Sequence, residues 1–373
     1  MTGSVEESET FTVTAERSLR VALLFNLASN APEPPPGAPP DYLYELDHEH
    51  NVAAYRSALE SRGHIVFPLE GNLDMLARLR ETPADICFNT CEGFRGSARE
   101  AQVPALLEMI GVPYTGSSVL TLALTLDKPM TKRVLAFHGL PTPQFQEFAT
   151  PDDPLDPYLL AGLQAGIPLF AKPAREGTGM GINGRSILRT ERELRDRVAY
   201  LIEAYRQSAL VEEYIEGRDV TVGLVGNWPD LHIFPLSMVD YSGYGNGAAP
   251  VYSAEYKVDR ADEYRCDCPA DLPEPLADEL RRLAVATMRV TGTVDMARVD
   301  FRLNRRAGDQ PTILEINSLP GMTPISDLTL MAETEGWTHA DLINSIMDAA
   351  LWRHGFVDTL LRWEEKIGQW TQA

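Results

Sequence analysis

Two stretches of the chain set reactive side chains close together. In the first, AKPAREGTGMGI over 171–182, Lys172 stands at the root of a loop carrying Gly177, Gly179 and Gly181. Glycine lets backbone N–H groups approach an anion closely, so such loops cradle phosphates, although they also serve as ordinary turns. The second, ARVDFRLNRRAGDQPTILEINSLPGM over 297–322, reads as two strands about a turn centred on Ala307 and Gly308. About that centre Asp300 faces Glu315 and Arg298 faces Asn317, and side-chain alternation sets all four on one face. Val299, Phe301, Leu314 and Ile316 fall on the opposite face, which is then the packed one. Geometry leaves a solvated charged face and a metal-binding face equally open. The oxygen-only set of Asp300, Glu315 and Asn317 favours the second, because such donors suit Mg²⁺, a hard ion that bridges substrate phosphates. In the following SLPGM, a backbone N–H near Gly321 can face a developing oxyanion beside Arg298.

The elements around these stretches must position them. LRVALLFNLA (19–28) is continuous in apolar residues and reads as a buried strand. PEPPPGAPP (32–40) then forbids regular structure, since proline lacks the N–H and fixes φ. NVAAYRSALESRG has helical spacing and stops at Gly63, HIVFPLE and ADICFNT read as strands, and REAQVPALLEMIG as a helix. That alternation predicts a parallel α/β layer up to about Ser117. LDKPMTKRVLAFHG is a further helix ending at Gly139, and IPLFAKPA and GINGRSILR are strands flanking the glycine loop. The loop therefore joins a hairpin, which excludes dinucleotide and Walker motifs, since both lead into a helix. The helix ERELRDRVAYLIEAYRQ and the strands ALVEEYI and RDVTVGLVG come next. DYSGYGNGAAPVYSAEYKVDR (240–260) reads as a mobile loop, and PEPLADELRRLAVATMRVTG as the helix before the carboxylate hairpin. From Thr338 onward the pattern is an amphipathic helix, with Trp337, Trp352 and Trp363 in core or interface positions.

Length and composition limit the function classes. A chain of 373 residues accommodates two or three domains. A net charge of −21 argues against nucleic-acid binding, so an anionic ligand must be met by locally placed lysines and arginines. Cys87, Cys91, Cys266 and Cys268 are too few for a disulfide framework and lack nearby histidines, which favours free thiols over zinc. The HEH at 48–50 lacks the i, i+4 histidine pair of a metalloprotease helix. The polar, acidic start is unlike a signal peptide and no apolar run reaches membrane-spanning length. The expectation is a cytoplasmic protein with no membrane partner.

The motifs KPAREGTGMG, VEEYIEGRDVTV, RVDFRL, LEINSLPGMTPIS and PYTGSS…LDKPMTK resemble, in order and spacing, those of D-alanine–D-alanine ligases of the ATP-grasp superfamily. The resemblance runs from about Leu19 to Trp352. It implies an α/β (α+β layers) ATP-grasp fold of three domains, with ATP held between the central and C-terminal ones. On this chain they would be 19–117, an N-terminal α/β domain after a polar tail of 1–18; 118–215, the central subdomain with the glycine-loop lid; and 216–373, the C-terminal subdomain with the metal site. By resemblance Lys128 and Lys172 neutralise phosphates, with Thr178 and Gly179 in the lid. Glu212, Glu213, Tyr214 and Ile215 form the adenine hinge, Asp219 meets the ribose, and Leu314 lies against the nucleotide. Lys257 approaches the γ-phosphate, Asp300, Glu315 and Asn317 hold two Mg²⁺ ions (Mn²⁺ being an alternative), and Arg298 with the Gly321 N–H stabilises a tetrahedral intermediate. The implied reaction activates a carboxylate as an acyl phosphate, which an amine attacks. The implied partners are amino-acid substrates and a second copy of the chain in a homodimer.

Departures lie in the substrate pocket. Counting back without gaps from ALESRGHI places Glu45 at the family's glutamate for the donor ammonium. Glu92 stands where the family has a histidine, Thr178 where it has a serine, and Val258 where it has a tyrosine, with Tyr256 as a substitute from the other side. Ser326 matches the serine that meets the acceptor carboxylate, but Asp327 follows where an apolar residue is usual. Asp327 is read either as a selector of the acceptor or as the cap of the next helix. The pattern implies a ligase acting on D-alanine or related amino acids. The alternative is an ATP-binding regulatory or specialised-metabolite protein with altered or no ligase turnover.

Overall fold

The structure, a computed structural model, describes residues 18–241 and 265–356. Tyr256, Lys257, Val258, Trp363 and most of the glycine- and tyrosine-rich excursion lie outside the described residues.

The first layer runs β1 (Arg20–Phe25), α1 (Glu49–Glu60), β2 (Ile65–Glu70), α2 (Asp74–Glu81), β3 (Ile86–Asn89) and α3 (Gln102–Ile110). The apolar run of β1 is buried from Val21 to Phe25, because the strand lies between β2 and β3 and pairs in parallel with both. This is the predicted parallel layer. The sequence pattern does not signal α2, which buries only Met75 and Leu79, a single i, i+4 pair. A short 3₁₀ turn at Arg99–Ala101 precedes α3 and carries the buried Arg99.

The central part comprises α4 (Val119–Leu126), α5 (Lys128–Phe137), β4 (Phe145–Phe148), α6 (Pro157–Gln164), β5 (Leu169–Pro173), β6 (Ile187–Leu188), α7 (Glu191–Tyr205) and β7 (Ala209–Glu213). Its antiparallel sheet has the order β4-β7-β5-β6. Asp127 caps α5 by accepting the Met130 N–H, which points Lys128 and Lys132 off its first turns. The glycine loop does join an antiparallel pair. Its second strand is shorter than GINGRSILR predicts, since Asn183 caps a 3₁₀ turn at Gly184–Ser186 and leaves two residues extended.

The remainder comprises β8 (Gly217–Asn227), β9 (Asp230–Ile233), β10 (Ser237–Val239), β11 (Cys266–Asp267), α8 (Glu274–Thr291), β12 (Met296–Asn304), β13 (Gln310–Asn317), α9 (Asp327–Thr334) and α10 (His339–Arg353). The sheet order is β11-β10-β8-β12-β13, with β9 on β8. Asp300 pairs with Glu315 and Arg298 with Asn317, as the hairpin spacing predicts. Closer to the turn the partners are Phe301 with Ile313 through Asn304 with Gln310, so a bulge inserts Leu314. This corrects the expectation that Leu314 shares the packed face. Val299, Phe301 and Ile316 are buried in the core, whereas Leu314 is half-buried and lines the cleft.

The core crosses the chain's halves. Tyr55 and Leu59 of α1 pack in one cluster with Leu342, Ile346 and Met347 of α10. The last helix thus closes over the first layer.

Candidate active site

One cleft gathers most of the residues singled out above. Lys128, Lys172, Thr178, Gly179, Glu212, Glu213, Tyr214, Ile215, Asp219, Arg298, Asp300, Leu314 and Glu315 all line it. They come from α5, the β5–β6 hairpin and its loop, the end of β7, and three neighbouring strands of the larger sheet. The loop needs its glycines. Gly181 has φ +71° and a Cβ there would lie 2.6 Å from the Pro173 ring, while a Cβ on Gly177 would lie 2.4 Å from Glu45 Oε1. Thr178 itself takes φ 50°.

Cations and carboxylates alternate across the floor. Lys172 Nζ lies 3.4 Å from Glu212 Oε1 and 3.8 Å from Glu315 Oε2, and Lys128 Nζ lies 3.6 Å from Glu315 Oε2. Burial alone would raise the Glu315 carboxyl, but Lys128, Lys172 and Arg298 hold it down at about 2. Burial would also discharge Lys172, yet Glu212 and Glu315 push its pKa above the ordinary lysine value. Both groups are therefore fully charged at neutral pH.

Arg298 forms a two-pronged bond with Asp300, at 3.0 and 2.9 Å. Thr221 and the Asn317 amide each donate to Asp300 at 3.0 Å. Asp300, Glu315 and Asn317 face one another from paired strands, and they fit Mg²⁺: two carboxylates leave further coordination positions for phosphate oxygens and water. The guanidinium of Arg298 also lies 3.6 Å from Asp327, the first residue of α9, with Ser326 at the N-cap position. Gly321 abuts Ser326, since a Cβ added there would sit 3.8 Å from the serine Cβ.

Glu45 and Glu92 lie outside this cleft. The Glu45 carboxylate pairs with Arg99 at 2.5 Å and accepts the Gly177 N–H. Arg99 reaches on to Glu176 at 2.9 Å and to the Arg175 carbonyl at 2.8 Å, tying the first layer to the root of the glycine loop. Glu92 is half-buried, and desolvation, then the neighbouring Glu100 and Glu45, push its carboxyl well above the usual range.

Four residues of the site were not found from sequence. Lys132, almost wholly buried, pairs with Glu212 at 2.8 Å; it stands one helical turn from Lys128, a spacing that signals it. Arg302 lies 3.3 Å from Asp219, and its guanidinium sits 5.0 Å over the Tyr214 ring; as Asp300+2 it shares that strand face. Arg99 and Glu176 meet across 77 positions, and no local pattern announces them.

Residues 134–348 match the family model described as the D-ala D-ala ligase C-terminus. The chain is 37% identical over 302 residues to the uncharacterized protein y4sG of Sinorhizobium fredii, covering 79% of this chain and 85% of that one. It is 34% identical over 304 residues to the D-alanine–D-alanine ligase of Moorella thermoacetica, covering 80% and 93%. Among solved structures, the ATP complex of the D-alanine–D-alanine ligase from Bacillus anthracis superposes with a TM-score of 0.68 at 21% identity, over 90% of this chain and 98% of that one. The fold is therefore that of the ATP-bound enzyme.

Proposed function

Because the chain belongs to the D-alanine–D-alanine ligase family, we propose that it is an ATP-dependent, ADP-forming ligase joining two amino acids, D-alanine or related ones, through an acyl phosphate. The observation that carries the reading is the convergence of Lys128, Lys172, Arg298, Asp300 and Glu315 on one cleft walled by the hinge from Glu212 to Ile215.

The donor carboxylate attacks the γ-phosphorus; the new O–P bond forms as the bond to the β-phosphate oxygen breaks and ADP leaves. Lys128 and Lys172 offset the triphosphate charge, and Thr178 and Gly179 cover it; Lys257, which lies outside the described residues, is assigned to the γ-phosphate by family resemblance alone. Backbone groups of Glu213 and Ile215 meet the purine edge beside Tyr214 and Leu314, and Asp219, held by Arg302, meets the ribose. Asp300, Glu315 and Asn317 would hold Mg²⁺ (two ions, or Mn²⁺), which when bound neutralises phosphate charge. The acceptor amine then attacks the acyl carbon, phosphate leaves with its oxygen, and the amine loses a proton. Arg298 and the Gly321 N–H receive the charge that develops on the acyl oxygen. Glu45 receives the donor ammonium, alongside Glu92 and Thr178, with Tyr256, outside the described residues, assigned there by resemblance alone, and Ser326 and Asp327 stand at the acceptor end.

In this reading 19–117 supplies the donor side, 118–215 the lid and hinge, and 216–373 the metal and acceptor sides. The protein works in the cytoplasm as a homodimer. The test is ADP release across a panel of D- and L-amino acids, with product masses read alongside. Nucleotide binding without ADP release for any amino acid would instead make the protein a nucleotide-binding regulator.

A further inference from the structure

We propose that the proline-rich segment converts the donor end of this site into a pocket for an amino acid with an extended side chain ending in an anionic group, an inference that rests on the ligase reading.

A cavity of about 610 Å³ lies beside the nucleotide cleft and shares Glu176 with it as a wall. Its inner end is Glu45, Glu176 and Arg99. Pro32, Pro35, Tyr42 and Leu43 form one side, Phe94 stands in the first-layer loop, and Tyr205 and Arg206 close it from the end of α7. Cavities of roughly 300–1,000 Å³ enclose drug-sized ligands, so the methyl group of alanine would leave most of this one to water.

The proline-rich wall is fastened at both ends. Beside β1, the Ala28 N–H donates to the Asp47 carbonyl and the Asp47 N–H to the Asn26 carbonyl, each at 2.9 Å. Farther out, the Asp41 carboxylate accepts the Gly181 N–H at 2.9 Å and the Tyr205 hydroxyl at 2.8 Å. The segment therefore spans from the first layer to the glycine loop, and it does so through successive turns, with the Ala38 N–H on the Pro35 carbonyl and the Tyr42 N–H on the Pro39 carbonyl, not as a strand. Glu176 joins the two spaces, since the Lys128 ammonium donates to its carbonyl at 2.5 Å while its carboxylate meets Arg99, so a donor held between Glu45 and the lysines would lie at the mouth of this cavity.

Charge at the outer end sets the class of that side chain. Arg99 is committed to Glu45 and Glu176, and Arg175 to Asp127 at 2.7 Å. Arg95 and Arg206, both exposed on the rim, pair with no carboxylate among the described residues; Arg206 reaches only the Pro36 carbonyl at 3.4 Å. Among the described residues lining the cavity, Glu33 is the one acidic group besides Glu45 and Glu176 at the inner end. Aromatic and proline walls between an acidic inner end and an arginine rim fit a side chain with an apolar body and an acidic tip.

The experiment is steady-state ADP release by the full chain with ATP. Donors are D-alanine, long-chain amino acids ending in a carboxylate, and the same amino acids ending in a carboxamide, each as both enantiomers. Sequencing the product identifies the donor as its N-terminal residue. We expect acid-tipped donors to exceed their amides in kcat/KM by about tenfold, and D-alanine by at least as much. The double variant Arg95→Gln, Arg206→Gln should bring acids down to their amides and leave D-alanine unchanged. Leu43→Trp should depress all long donors and spare D-alanine. If D-alanine is the best donor and neither variant changes the ranking, the inference is overturned while the ligase reading stands. ADP release from no donor at all overturns both.

Discussion

At the scale of single residues, the site is a set of charges that hold one another in their ionised forms. Asp300 and Glu315 are the negative pair on which the proposed metal site depends, yet each also has protein partners that keep it in place. Asp300→Asn and Glu315→Gln should therefore lower ADP release on the order of 100-fold or more in a protein that still folds, with Glu315→Gln also losing the stability that its lysine-depressed carboxyl supplies at neutral pH. Near-parental turnover in both, at ordinary Mg²⁺, would remove the metal assignment. Asp47 lies outside the site and behaves in the opposite way. Burial, only partly offset by hydrogen bonds from Thr90 and its neighbours, raises its pKa from 3.8 to about 6. The folded protein thus holds this proton more tightly than the unfolded chain, so the group costs nothing below pH 4 and destabilises increasingly up to about pH 6. At 1.36 kcal/mol per unit the cost at neutral pH is about 3 kcal/mol. Asp47→Asn should be more stable relative to the parent at pH 7 than at pH 4, and denaturant midpoints at the two pH values would measure it. An equal difference at both would mean that Asp47 ionises normally.

At the scale of elements, the glycine loop and the β-bulge do the positioning. Gly181 and Gly177 are both crowded, but by different neighbours. A Cβ at Gly181 meets the Pro173 ring, which is fixed by the backbone of β5, and the positive φ adds strain. A Cβ at Gly177 meets the end of the Glu45 side chain, which can swing away. Gly181→Ala should therefore lower stability by about 1–3 kcal/mol and raise the KM for ATP. Gly177→Ala should be nearly neutral in stability and raise the KM for the donor, because displaced Glu45 no longer faces it. Equal effects of the two changes on stability would contradict this division. The hairpin shows how much an element reveals about itself. Its spacing was legible enough to pair Asp300 with Glu315, whereas the bulge that turns Leu314 into the cleft was not. A single inserted residue leaves no mark on an otherwise alternating pattern.

At the scale of the molecule, Arg353 and Asp295 tie the last helix to the end of the first layer. Arg353, at the end of α10, binds fully buried Asp295 at 2.7 and 3.0 Å and the carbonyls of Tyr114 and Gly116 at 2.9 and 3.1 Å. It thereby connects the last helix, the entry to β12 and the end of the first layer through residues that do not line the nucleotide cleft. Arg353→Met should cost about 3 kcal/mol in equilibrium unfolding, since Asp295 loses its countercharge, with the ATP affinity of the folded fraction unchanged. Arg353→Met combined with Asp295→Asn should recover part of that loss, as no buried charge then lacks a partner. Failure of the second change to recover any stability would show that packing, and not charge, dominates there.

The sequence alone determined the parallel first layer, the hairpin below the glycine loop, and the face shared by Arg298, Asp300, Glu315 and Asn317. All of these rest on periodicity or on spacing within one or two elements, which local backbone geometry enforces. Lys128 and Lys172 entered through motif resemblance, and the fold brings them to the same carboxylate. Tertiary structure alone decided that Glu212 turns its carboxylate onto two buried lysines, that Arg302 holds Asp219, and that Arg99 occupies Glu45. It also made the proline-rich segment a cavity wall. These contacts join residues that are far apart in the chain, and their distances follow from how three sheets pack together. No residue carries a local record of which distant charge will compensate its burial.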